Sequence, residues 1–172
     1  MSIRHCHAPG RLVTDRLELR QFCAADHEPY ARMCAAPEVM RYIGPGEPHA
    51  ADITWRSMAG MIGHWALLGY GQWAVVRRDD GALLGRAGFF DPPGWPGFEL
   101  GYLFGKEYWG HGYAREACAA ALRIAVEDLH KERIISLIRP LNTPSIKLAT
   151  ALGAKLESSI EFMGGPTNVY VY

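Results

Sequence analysis

The run Glu99–Glu116, ELGYLFGKEYWGHGYARE, constrains this chain more than any other stretch. It opens as a strand, passes through Gly105, Gly110 and Gly112, and runs directly into a helix. Gly110 and Gly112 allow a tight turn where the helix begins, which leaves several backbone N–H groups without helical partners. Those groups and the positive end of the helix dipole suit an anion such as a pyrophosphate. A plain strand-to-helix turn would use the same glycines, so the turn alone does not separate ligand site from loop.

Two phosphate motifs can be tested on the same residues. GYLFGKE (Gly101–Glu107) has three residues between its glycines where a P-loop has four, and Glu107 stands where Ser or Thr must hold magnesium. Gly110-His111-Gly112 begins like a dinucleotide fingerprint, but Arg115 occupies the third glycine position and antiparallel hairpins precede it. Neither motif is met.

The flanking sequence predicts a single mixed domain over residues 11–172, with residues 1–10 as a mobile tail. Leu12–Arg20 alternates apolar and polar residues from Asp15 onward and reads as a strand. Asp26 is placed to cap a helix to about Ala35, and Asp52 to cap the next one. In that second helix Trp55, Met58, Ile62 and Trp65 form one stripe, which reads as core or as the wall of an acceptor pocket. Gln72–Arg78 and Leu83–Phe90 form a hairpin about Asp79-Asp80-Gly81, and Phe98–Phe104 follows the turn DPPGWPG. A helix over 112–129 carries rows of small residues, Ala117, Ala121 and Ala125 beside Ala114 and Cys118, and so can lie close to a sheet. Ile134–Ile138 reads as a central strand, Thr143–Leu152 as a helix stopped by Gly153, and Ala154–Phe162 and Val169–Tyr172 as closing strands. The sum is an α/β (α+β) fold, a mixed and mostly antiparallel sheet with about four helices packed on it.

Composition removes several functions. Lys plus Arg and Asp plus Glu are 18 each, so no general basic field exists for nucleic acid. The four cysteines form no C-x-x-C pair, which favours free thiols in a reducing compartment. His5-Cys6-His7 lacks further ligands, so no metal is expected. The start has no apolar signal region and no stretch of about 18 apolar residues occurs, so a cytoplasmic protein without a membrane partner is the expectation.

On these residues the chain resembles the GNAT N-acetyltransferases. YWGHGYAREA resembles the family's acetyl-CoA signature, Q/R-x-x-G-x-G/A, laid on Trp109, Gly112 and Ala114. NTPSIKLATALGA, Asn142–Ala154, resembles the second signature, N-x-x-S followed by a helix. The opening TDRLELR and the spacing of ELGYLF to WGHGYA are similar to the RimJ/RimL-like branch, which acetylates protein N-termini and small amines. The resemblance spans Leu12–Tyr172 and implies the GNAT fold, with splayed middle strands that admit acetyl-CoA. It further implies that Tyr102, Leu103 and Phe104 hold the pantetheine arm through backbone groups. The N–H groups of Gly110, His111, Gly112, Tyr113, Ala114 and Arg115 would hold the pyrophosphate, Asn142 would bond the pantetheine or the backbone nearby, and Ser145 would sit close to the thioester sulfur. Arg115 and Lys147 are candidates to meet cofactor phosphates.

The chain departs from the family at three points. Trp109 stands where many members carry Gln or Arg, though the RimJ/RimL-like branch commonly has Trp there. Ala149 stands where many members carry a Tyr general acid, and Ile134–Ile138 lacks the carboxylate that other relatives place there. Acetyl transfer to an alkyl amine needs proton removal, so Glu99, at the start of the cofactor strand, is the candidate base. Ser145 is the candidate donor to the departing thiolate, with Tyr170 and Tyr172 as alternatives. A coenzyme thiol with a pKa of about 8 to 9, by analogy with Cys, can also leave without a dedicated acid. A backbone N–H near Leu103 is the expected oxyanion donor. The missing side chains leave room for a second reading, a non-catalytic CoA-binding module, and an ordinary nucleotide-binding domain is a third. The acceptor is an amine, either a protein N-terminus or a small molecule. Its identity is open, as is a homodimer.

Overall fold

A computed structural model describes residues 7–172. The elements are β1 (Arg11–Val13), β2 (Leu17–Arg20), α1 (His27–Cys34), α2 (Pro37–Met40), α3 (Ala51–Leu68), β3 (Gln72–Arg77), β4 (Leu83–Phe90) and β5 (Glu99–Phe104), then α4 (Tyr113–Glu127), β6 (Ile135–Ile138), α5 (Thr143–Ala151), β7 (Lys155–Phe162) and β8 (Gly165–Val171). One sheet of eight strands runs in the order β1-β2-β3-β4-β5-β6-β8-β7.

The two faces of this sheet bury different sets. In β3, Trp73 and Val75 point to the face that α4 covers, and Ala74 and Val76 to the face under α1 and α3. That is why QWAVVR reads as continuous rather than alternating. The predicted small-residue face of α4 is the buried one: Ala117, Cys118, Ala121 and Ala125 have no exposed surface. Side chains this short let the helix axis approach the strands closely.

All neighbouring strands are antiparallel except β5 and β6, which are parallel and share one register pair, Glu99 with Ile135. The Ile135 N–H donates to Phe98 O at 2.9 Å and the Ser136 hydroxyl to Leu100 O at 2.7 Å. Beyond that point the two strands pair no further, which leaves an open wedge in mid-sheet.

Local differences from the expected elements have physical causes. Leu12–Arg20 is a hairpin rather than one strand, because Thr14 closes a turn with its N–H on Leu17 O at 2.9 Å. The short α2 was not expected; Pro37 starts it at its first position, where its missing N–H costs nothing. Asp26 does not cap α1. Its carboxylate turns back to the Cys23 N–H at 2.8 Å and to both terminal nitrogens of Arg20 at 2.7 Å. Asp52 lies inside the first turn of α3, paired with Arg56, and Ala50 is the cap residue. The last turn is Met163-Gly164, both at positive φ, so β8 begins at Gly165 and not at Val169. Within the expected tail, Ala8 is buried and its N–H meets Gly69 O at 2.9 Å, while the Trp73 indole donates to Pro9 O. Those residues are anchored; His5 and Cys6 lie outside the described residues. Among the described residues no helix is long and apolar enough to cross a membrane, and no group of three potential metal ligands occurs.

Candidate active site

The wedge between β5 and β6 opens into a cavity of about 710 Å³, lined from α3, β3, β4, β5, β6, α5 and the β7–β8 turn. On one side of the sheet the Gly-rich loop prepares the anion site. Gly110 and Gly112 sit at φ 78° and 79°, a left-handed conformation that side chains rarely adopt. Nothing lies near the position of a Cβ on Gly110, and no side chain caps α4, so its first N–H groups are free of side-chain partners. A bound pyrophosphate would meet those donors and the dipole together.

The loop is held from behind. Glu116 accepts from the Thr14 hydroxyl, the Arg16 N–H at 2.9 Å and Arg16 Nε at 2.7 Å, and Arg16 Nη1 donates to His111 O at 2.9 Å. Burial alone would raise the Glu116 carboxyl, but these donors outweigh it and hold it below its ordinary value. Arg16 also lies over the Tyr113 ring, on which His111 stacks. Trp109 is half exposed, and its indole donates to Phe104 O at 2.8 Å, tying the signature to the end of β5. Arg115 and Lys147 are exposed on the first turns of α4 and α5.

The register of β5 decides which backbone groups reach the wedge. Gly105 N–H bonds Leu84 O, and Leu103 pairs with Arg86 two residues on, so Leu103 turns its N–H and C=O toward β4. Phe98, Leu100, Tyr102 and Phe104 face β6 instead. Leu103 is therefore not the oxyanion donor expected from sequence, nor a backbone partner for a ligand in the wedge. The group on the unpaired edge is the backbone of Tyr102. Phe104 shares that edge, but its carbonyl is already taken by Trp109.

Across the wedge, Asn142 Oδ1 accepts the Ser145 N–H at 3.3 Å and caps α5. The Tyr102 hydroxyl donates to Ser145 O at 3.2 Å, and burial keeps it protonated well above its ordinary range. Ser145 and Tyr102 thus share one wall. Tyr172 meets Ser136 Oγ at 3.0 Å, and Tyr170 is buried in the packing of Ile138, Ala149 and Ala154. Neither of these two tyrosines is among the residues lining the cavity.

Glu99 stands where β5 and β6 last touch. Its side chain projects from the opposite face to Tyr102, because alternate residues of a strand face opposite ways. Burial pushes its carboxyl up to about 7, while the Trp95 indole N–H at 2.7 Å, the Leu137 backbone and Arg86 pull against that rise. A carboxyl with this value changes charge near neutral pH, as a general base must.

Several lining residues were not foreseen. Trp95 comes from the turn DPPGWPG. Arg86 comes from β4, where a single charge in LLGRAGFF was the available signal; its Nε donates to the Tyr30 hydroxyl at 2.7 Å and Nη1 to Gln72 Oε1. Conversely, the stripe expected on α3 does not line the cavity. Met58 and Trp65 are core, Trp55 and Ile62 are exposed, and the lining face is Ser57, Gly60, Met61, His64 and Leu67.

A half-split mixed sheet and an uncapped helix end beside a glycine turn suit a ligand with a pyrophosphate and an extended arm. The acetyltransferase (GNAT) domain matches residues 16–155. The chain belongs to that family, whose members use acetyl-CoA. It is 30% identical to an N-acetyltransferase, p20, of Bacillus licheniformis, over 85% of this chain and 83% of that one. It is 28% identical to the ribosomal protein uS5-alanine N-acetyltransferase of Escherichia coli, over 86% and 79% of the two chains. An acetyltransferase structure from Agrobacterium tumefaciens superposes with a TM-score of 0.85 at 29% identity, over 96% of this chain and 95% of that one.

Proposed function

We propose that this protein transfers the acetyl group of acetyl-CoA to a primary amine by direct attack, with Glu99 as the base. The observation that carries the reading is the position of Glu99: a largely enclosed carboxyl at the apex of the wedge, opening on the cavity on the face opposite Tyr102 and Ser145. Acyl donor and amine can then approach from opposite sides of the sheet and meet at its gap.

Each residue has a role in that reaction. The first N–H groups of α4 and the turn from Gly110 to Arg115 hold the pyrophosphate, and the open edge of β5 at Tyr102 holds the pantetheine arm. Glu99 takes the proton as the amine nitrogen bonds to the acetyl carbon, directly or through one water. The Tyr102 N–H lies on the unpaired edge and stabilises the carbonyl oxygen as it gains charge. When the carbon–sulfur bond breaks, the thiolate departs toward the wall shared by Ser145 and Tyr102, where a hydroxyl can protonate it.

The test is release of free CoA thiol from acetyl-CoA with a panel of primary amines, alongside calorimetric titration with acetyl-CoA, ATP and NAD. Acetyl-CoA binding with amine-dependent turnover supports the proposal. Acetyl-CoA binding without turnover of any amine would favour the CoA-binding module suggested by Ala149, which is fully buried and carries no acid.

A further inference from the structure

Among the described residues Arg86 forms no ion pair, although the Glu99 carboxyl feels its charge. Eight other cationic side chains, Arg11 and Lys106 among them, each meet a carboxylate within 4.0 Å, but none does so at Arg86. Its partners are two neutral oxygens, the Tyr30 hydroxyl and Gln72 Oε1. A guanidinium carries five N–H donors in a planar fork. Only Nε and Nη1 are engaged among the described residues, and no buried side-chain nitrogen there lacks a partner, so Nη2 reaches the cavity. Tyr30 and Gln72 are themselves buried, which fixes the fork in place.

The rest of the cavity lining makes the imbalance larger. Glu99 is the one acidic residue on that lining, and the second guanidinium, Arg139, spends its Nη atoms on the backbone oxygens of Gly44, Phe162, Met163 and Pro166 and on the Thr167 hydroxyl. Two fixed positive charges therefore face one carboxyl. Such a field repels an acceptor with several ammonium groups and attracts one that brings an anion. The spacing is short as well. Arg86 Nη1 and the Glu99 carboxyl carbon lie 3.9 and 4.0 Å from the point where a Cβ on Gly101 would stand. An amine at Glu99 and an anion at Arg86 therefore lie close enough to belong to one small molecule.

We propose that the acceptor is a small amine that also carries a carboxylate, and that Arg86 binds that carboxylate while Glu99 receives the amine. This rests on the acetyltransferase reading and narrows it to a substrate class. A planar carboxylate matches the guanidinium fork, and the remaining Nη donors make charge-assisted hydrogen bonds to it.

The experiment compares matched pairs on the full chain with acetyl-CoA: alanine, β-alanine and γ-aminobutyrate against their carboxamides, with putrescine, spermidine and C-terminally amidated peptides alongside. At least one free acid should exceed its amide in kcat/KM by roughly tenfold to a hundredfold, the factor for one charge-assisted hydrogen bond. Arg86→Gln should collapse that ratio toward one, mainly through KM, and Arg86→Lys should restore part of it. The wild-type ratio needs no variant, so it decides the matter even where Arg86→Gln does not fold. Amides, polyamines or amidated peptides turned over as well as the acids would overturn the carboxylate assignment and leave the acetyltransferase reading standing. No turnover of any amine would overturn both.

Discussion

Replacing Glu99 by Gln separates the catalytic role proposed for it from its structural cost, because the two effects have opposite signs. The carboxyl rises from an ordinary value of 4.5 to about 7 on folding. Each tenfold displacement of an ionisation equilibrium corresponds to about 1.4 kcal/mol, so ionising Glu99 in place costs the fold up to about 3 kcal/mol. Because the folded value lies above the unfolded one, the stabilising share is complete below about 4.5 and is lost as pH rises through about 7. Glu99→Gln keeps the shape and an oxygen for the Trp95 indole but cannot ionise. In urea titrations the variant should match the parent near pH 5. Near pH 8.5 it should be the more stable protein, by up to about 3 kcal/mol. Turnover moves the other way: kcat should fall by roughly 10² to 10⁴, and the inflection near pH 7 in kcat/KM should disappear. An equal stability offset at both pH values, together with a surviving inflection, would refute the placement of the charge and its use as base.

Three further outcomes test other parts of the site. Gly112→Val forces a β-branched residue to φ near 79° with its Cβ 3.4 Å from Arg16 Nη2. A left-handed conformation costs an L-residue about 1–2 kcal/mol, and acetyl-CoA affinity by calorimetry should drop at least tenfold; unchanged affinity would remove the loop from the binding site. Asp26→Asn breaks a buried ion pair and should lower unfolding free energy by about 3 kcal/mol at pH 7. Burial would raise Asp26, yet the Arg20 and Cys23 bonds hold it below its ordinary range. Its contribution is therefore present above the unfolded pKa and lost in acid, and the gap between the two proteins should close as pH falls. Tyr102→Phe removes a hydroxyl 3.2 Å from Ser145 O. It should lower kcat by roughly tenfold or more with acetyl-CoA affinity unchanged, whereas an unchanged kcat would leave Ser145 or solvent to protonate the thiolate.

The parts of the molecule that sequence made legible are those in which the backbone itself does the work. Gly110 and Gly112 are visible because only glycine takes their φ cheaply, and Asn142 because it opens the N-x-x-S run, which the fold shows to be a helix cap. The small-residue face of α4 is visible because helical spacing turns it to one side. Register is a different kind of information. Whether Leu103 or Tyr102 faces the wedge depends on how β5 pairs with β4, and a shift of one residue reverses the answer. The stripe on α3 is core at Met58 and Trp65 only, for a related reason. Trp55, Met58, Ile62 and Trp65 are regularly spaced, but the helix packs on a neighbouring face, which leaves two of them to solvent and turns Ser57, Gly60 and Met61 to the cavity.

The two halves of the site differ in how they are encoded, and this bears on substrate choice. The donor half, as proposed, would recognise a fixed ligand with backbone N–H groups and an open strand edge, so a few glycines and a cap suffice to encode it. The proposed acceptor half is assembled from side chains spread over α3, β3, β4 and the loop after β4, together with the distant β7–β8 turn. Arg86 shows the consequence. In sequence it is the single charge in LLGRAGFF, and only the fold brings it near Glu99, short of an ion pair. A guanidinium held by two buried neutral partners gains little for stability, and its remaining donors are of use chiefly to something that enters the cavity.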